Sequence, residues 1–140
     1  MLDLTLAVLH HLLVFGLVMM LAMELALLRT SLPDVRRLAG LDAGYGATAL
    51  LVIVVGVCRV VWGGKGWAFY QANPFFWAKI GTFALIGLIS VVPTLRILRW
   101  RRAGVADPAR LESTRALVRL ELLLVLPLVA FAAAMARWPF

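Results

Sequence analysis

The chain is short of the groups that most soluble chemistry needs: one cysteine, two histidines and seven acidic residues in 140. With Cys58 alone, no intramolecular disulfide forms and no CxxC metal or redox pair exists. No nucleophile triad, zinc motif or phosphate-cradling loop is present, and the GGKG at 63–66 lacks the spacing and the Ser/Thr of a P-loop. No basic region precedes the first apolar block and no small-residue cleavage site ends it, so that block is expected to stay in the mature protein. Only 15% of residues are charged, against 64% hydrophobic, which is too apolar for an ordinary soluble domain.

What is abundant is long apolar runs. Residues 3–30 hold only Thr5, His10, His11 and Glu24 as strongly polar groups inside the block, enough to span a bilayer, which needs about 20 apolar residues. Three further blocks follow, and helices are expected at about 3–29, 45–62, 75–98 and 116–137. The chain therefore reads as one all-α domain over 1–140, a polytopic four-transmembrane-helix bundle. The stretch 31–46, with Pro33 and three glycines, reads as a connection, and so does 100–115.

The net charge of +7 has its explanation in topology rather than in nucleic acid. Alternating helices put Arg29, Arg36, Arg37, Arg96, Arg99, Arg101, Arg102, Arg110 and Arg115 on one side, against Lys65 and Arg137 on the other. The expected location is a bacterial inner (plasma) membrane, with both basic loops cytoplasmic and both termini outside. The outer loop carries Trp62, Trp67, Phe69 and Tyr70, with Trp77 just beyond, which suits an interfacial aromatic belt.

An ionisable group facing lipid is costly, so the intramembrane polar residues mark inward faces. At about 100° per residue, His10, Val14, Leu17, Leu21 and Glu24 share one stripe, and His11 points away from it. Lys79, Thr82, Ile86, Ser90 and Pro93 form a comparable stripe on the third helix. Depth then sorts the polar groups into two layers. The inner layer holds Glu24, Arg119 and Glu121, where an architectural ion pair between Glu24 and Arg119 is expected and a proton path is the functional alternative, with Glu121 near the head groups. The outer layer holds His10, Arg59 and Lys79, three potential cations with no acidic partner in the apolar blocks at that depth, and His11 is a candidate fourth member. Such a cluster asks for an anion, neutral side chains or water. A haem meets several of these needs, with His10 as axial imidazole and Arg59 and Lys79 as propionate partners, or Lys79 as a second ligand; the plainer reading is a histidine hydrogen-bonded inside the bundle and a lysine snorkelling to the interface.

Copper is a further alternative. Met19, Met20 and Met23 on the first helix and Cys58 on the second offer soft sulfur, with Met19 and Met23 at i, i+4, although Met is also ordinary apolar filling. Ala130 and Ala134 give a small-xxx-small spacing that suits close helix contact within the bundle or in a homodimer.

Leu9, His10 and His11 in an N-terminal membrane helix, and Trp77, Ala78 and Lys79 opening the third, resemble motifs of the four-helix HemJ-type membrane protoporphyrinogen IX oxidases. The layout resembles still more a set of predicted bacterial membrane proteins grouped as a domain of unknown function. The first resemblance implies His10 as an axial haem b ligand and Lys79 as an essential partner, and Arg59 and Trp77 join them as candidate residues of the same site. It implies an inner-membrane oxidoreductase passing electrons to quinone or another membrane acceptor. The chain departs from the pattern at Met19, Met20 and Glu24, where that family has an aromatic residue and a Pro-Arg, and at Trp77 in place of a His. The alternative from another class is a non-enzymatic membrane protein, a structural subunit or small transporter, without a redox cofactor.

Overall fold

A computed structural model describes residues 1–138. It consists of α1 (Leu2–Leu28), α2 (Val35–Trp62), the short α3 (Gly66–Ala72), α4 (Pro74–Ala103) and α5 (Pro108–Ala136). Among the described residues there is no strand, and α1, α2, α4 and α5 are each long and apolar enough to cross a membrane. Backbone hydrogen bonding explains the choice, because a helix satisfies its own N–H and C=O groups where no water is at hand.

Three helices are longer than expected. The N-terminus of α2 lies at Val35 rather than near 45, because the Asp34 carboxylate accepts from Arg36 N and Arg37 N at 3.0 and 3.1 Å and caps the first turn. Gly40, Gly44 and Gly46 are therefore inside a helix, and Gly44 leaves room for Met20: a Cβ there would sit 3.2 Å from its sulfur. The second basic connection shrinks to residues 104–107. Gly104 ends α4 in the left-handed region (φ 78°), and the Asp107 carboxylate accepts from Ala109 N at 3.0 Å with Pro108 opening α5. Both interior prolines, Pro93 and Pro127, lie within continuous helices.

The spanning helices run up and down in turn. Each packs on its two neighbours, α1 on α2 and α5, and α4 on α2 and α5. The diagonals, α1 with α4 and α2 with α5, make no close backbone approach among the described residues. On α1 the inward stripe is as expected: His10, Leu17, Leu21, Glu24, Leu25 and Leu28 are buried. Leu38, Ala39, Tyr45, Ile97, Trp100 and Val118 complete the core of the basic half. Outward lie Leu12, Phe15, Leu88 and Leu126, each more than half exposed, and these are the surface the lipid covers.

The helix ends are tied side chain to backbone. Arg115 donates from Nε and Nη2 to the Leu28 carbonyl at 3.0 and 2.8 Å, capping α1 from α5. At the other end Asn73, fully buried, caps α4 through Phe75 N at 3.0 Å and donates to the Met135 carbonyl at 3.0 Å. The loop expected there is partly helical: α3 folds Phe69 and Tyr70 against Phe76, with ring centroids of Tyr70 and Phe76 5.3 Å apart.

Candidate functional site

The stripe of α1 and the start of α4 meet across α2 at the Gly-rich turn's end of the bundle. There a cavity of about 670 Å³ lies between α2 and α4, within the range of about 300–1,000 Å³ that small-molecule sites occupy. His10 reaches it from α1, Arg59 from α2, Lys79 and Trp77 from α4, and Trp67 and Tyr70 roof it from α3. Four of the five expected outer-site residues therefore come together, and the rest of the wall is chiefly aliphatic.

His10 is 7% exposed and lies against α2 at Gly56, where a Cβ would stand 3.4 Å from its Cε1. Its Nδ1 is shielded and has no hydrogen-bond partner, and the Arg59 Nε is likewise buried without one. Arg59, half-buried as a residue, thus lines the cavity wall with its Nε shielded. Lys79, Arg59 and His11 are the ionisable groups whose charge His10 senses. His11 belongs elsewhere: it is exposed, its Nδ1 pairs with the Ala7 carbonyl at 2.6 Å, and its ring stands edge-on to His10. Trp77 lines the cavity while its indole N–H donates to the Gln71 carbonyl at 3.1 Å, pinning α4 to the end of α3.

Two groups at this end were not read as site residues from the sequence, where Tyr70 counted only toward the aromatic belt. Tyr70 is buried above Arg59, and burial raises its hydroxyl above the usual range, opposed by the Arg59 charge. Asp3 places a carboxylate oxygen 4.0 Å from where a Cβ on Gly64 would stand, so the rim does carry an acid. It was passed over because it precedes the apolar run rather than interrupting it.

The inner layer differs from expectation in one main respect: Glu24 and Arg119 do not pair. Glu24 is 2% exposed, whereas Arg119 lies on the outer face of α5. Arg119 and Glu121 are about 200° apart around the helix, and it is Glu121, 1% exposed, that points inward. Glu121 is accordingly in the core, not at the head groups, and its Oε2 accepts from the Tyr45 hydroxyl at 3.1 Å. Asp42, 7% exposed, accepts from the Thr94 hydroxyl at 2.8 Å. Glu24 senses both Asp42 and Glu121, so its company is acidic. Among the described residues the ion pairs are Arg110 with Asp107 at 3.7 Å and Arg115 with Glu112 at 2.5 Å, both away from this layer. Asp42 and Tyr45 were missed because 31–46 read as a connection, and Thr94 because it lies just beyond the polar stripe that ended at Pro93. The Asp34 cap, followed by inward positions at 38, 42, 45, 52 and 55, is the signal that finds Asp42 and Tyr45.

The sulfur groups do not converge. Met19 and Met23 are 64% and 42% exposed on the lipid side. Since Gly56 lies beside His10, Cys58 sits at the outer end, roughly 15–20 Å of axial rise from those methionines. Among the described residues no three His, Cys, Asp or Glu side chains gather as a metal-holding group.

Comparison with known proteins agrees with the fold and is silent on chemistry. No curated protein and no solved structure matches the chain. A family model described as a predicted membrane protein, DUF2214, matches residues 2–138. With nearly the whole length matched, the chain belongs to the DUF2214 family of predicted membrane proteins.

Proposed function

We propose that the outer cavity is a haem b site and that the protein is an inner-membrane oxidoreductase similar to the protoporphyrinogen IX oxidases. The observation that carries this reading is His10: a buried imidazole at the wall of an intramembrane cavity, with two basic side chains beside it and no carboxylate pairing it. The donor set suits a porphyrin, since one imidazole serves the iron, aliphatic and aromatic walls serve the macrocycle, and basic side chains serve its two carboxylates. Bound haem supplies one-electron redox chemistry that no side chain here provides.

The chain's own part is binding and orientation. With Nδ1 shielded against Gly56, the nitrogen left to ligate is Nε2, and the imidazole proton stays on Nδ1. Arg59 and Lys79 hold propionates or the acidic groups of a tetrapyrrole substrate, with Lys79 the alternative second ligand. Trp67, Tyr70 and Trp77 give the outer side of the cavity an aromatic wall. Bound haem would allow electrons to pass to quinone or another membrane acceptor, and the exposed Ala130 face suits a homodimer contact. The nine-to-two distribution of loop Arg and Lys supports cytoplasmic basic turns with both termini outside. The buried acidic layer favours a second reading, a small transporter without a redox cofactor.

The test is the visible spectrum of protein purified in mild detergent from haem-replete cells, before and after dithionite. A Soret band with sharpened reduced bands, at near-equimolar haem, is the expected result. A folded, colourless protein that takes up no added haem overturns the proposal.

A further inference from the structure

We propose that Glu24, Asp42 and Glu121, with Tyr45 and Thr94, form a proton-exchange site in the basic half of the bundle, reached from the basic end. All four spanning helices contribute: Glu24 from α1, Asp42 and Tyr45 from α2, Thr94 from α4 and Glu121 from α5. The Tyr45 to Glu121 bond crosses the diagonal between α2 and α5, so this layer lies on the axis of the bundle.

Two shielded oxygens point to a bound species. Glu24 Oε2 and Glu121 Oε1 belong to residues 2% and 1% exposed, and neither has a hydrogen-bond partner. An acceptor in such a place calls for a donor or a positive charge. No basic side chain supplies it. Arg96 donates to Ser113 Oγ and Thr114 Oγ1, Arg115 holds the Leu28 carbonyl and Glu112, and Arg119 faces outward. A proton answers that need without any further side chain, since a protonated carboxyl carries its own donor.

The basic end is the nearer source of water. Glu24 is about one turn from the end of α1, and Thr94 is half-buried on the same half. Toward the outer cavity the buried Leu17 and Leu21 intervene, and His10 is about 21 Å further along α1. Uptake moves one proton from water at the basic end onto a carboxylate oxygen, leaving a neutral carboxylic acid, and release returns it to the same water. No electron moves, and the inference does not depend on haem.

The experiment is pH-difference infrared spectroscopy of the full chain in phosphatidylcholine vesicles. The expected result is a C=O band of buried protonated carboxyl groups that forms and disappears reversibly with pH. Glu121→Gln and Asp42→Asn should each remove one carboxyl's share of it, and Tyr45→Phe should shift its frequency. A band unchanged across the pH range means a fixed structural network and overturns the proposal, as does a band that none of the three substitutions alters. A signal that follows sodium or potassium at constant pH means a metal cation and overturns it too. If Glu121→Gln does not fold, the wild-type titration and the Asp42→Asn difference decide the matter alone.

Discussion

Tyr45→Phe is the substitution whose cost is most directly worked from the structure. It deletes one hydroxyl, 5% exposed as a residue, and leaves Glu121 with both carboxyl oxygens buried and unpartnered, since Oε1 already lacks a partner. Stranding a buried polar group costs about 1–3 kcal/mol in soluble proteins. Side-chain hydrogen bonds inside membranes average nearer 0.6 kcal/mol, with a maximum of about 1.7. The second scale is the relevant one, but Glu121 cannot turn to water, which places the expected loss toward its upper end, about 1 kcal/mol or roughly a fivefold change in the folded ratio. Glu121→Leu removes the other partner and its unpartnered oxygen together, so the double variant should lose less than Tyr45→Phe alone. SDS-titrated unfolding in mixed micelles, followed by circular dichroism, measures the cycle. A Tyr45→Phe protein as stable as wild type, or a double variant whose loss equals the sum of the singles, would refute the reasoning.

Two further outcomes follow from contacts at the helix faces. Gly56→Ala should keep or slightly raise stability, because Ala is better than Gly in a helix by about 0.5–1 kcal/mol, yet weaken haem retention by crowding the His10 ring from 3.4 Å; equal pigment would argue against a ligand there. Arg115→Ala should cost about 1.5–3 kcal/mol in the same unfolding assay by stripping both donors from the Leu28 carbonyl. Arg115→Lys should restore only part of that, since an ammonium lacks the fork; full recovery would reduce the contact to simple charge.

The four spans and the inward face of α1 were legible because the bilayer admits few alternatives: apolar length sets the helix, and His10 and Glu24 set its rotation. The outer site was legible for the same reason, as His10, Arg59 and Lys79 each interrupt an apolar block. What escaped was set by local capping and by angle. Three glycines made 31–46 read as a loop, although Asp34 caps a helix from Val35 that carries Asp42 and Tyr45 inward. Pairing Glu24 with Arg119 followed charge and depth without rotation, and two residues along α5 reverse the direction. Nothing in the sequence marked α3 as helical, because aromatic residues at an interface suit a loop equally well.

The most direct test of the account is a matched pair, His10→Ala and His11→Ala, each reconstituted with haem and followed at the Soret band. The two side chains are adjacent in sequence, but one is buried beside the cavity and the other is exposed and bound to its own helix. Loss of the haem spectrum in His10→Ala, with its retention in His11→Ala, is the predicted result. A folded His10→Ala protein that binds haem as wild type does, or loss confined to His11→Ala, would contradict it.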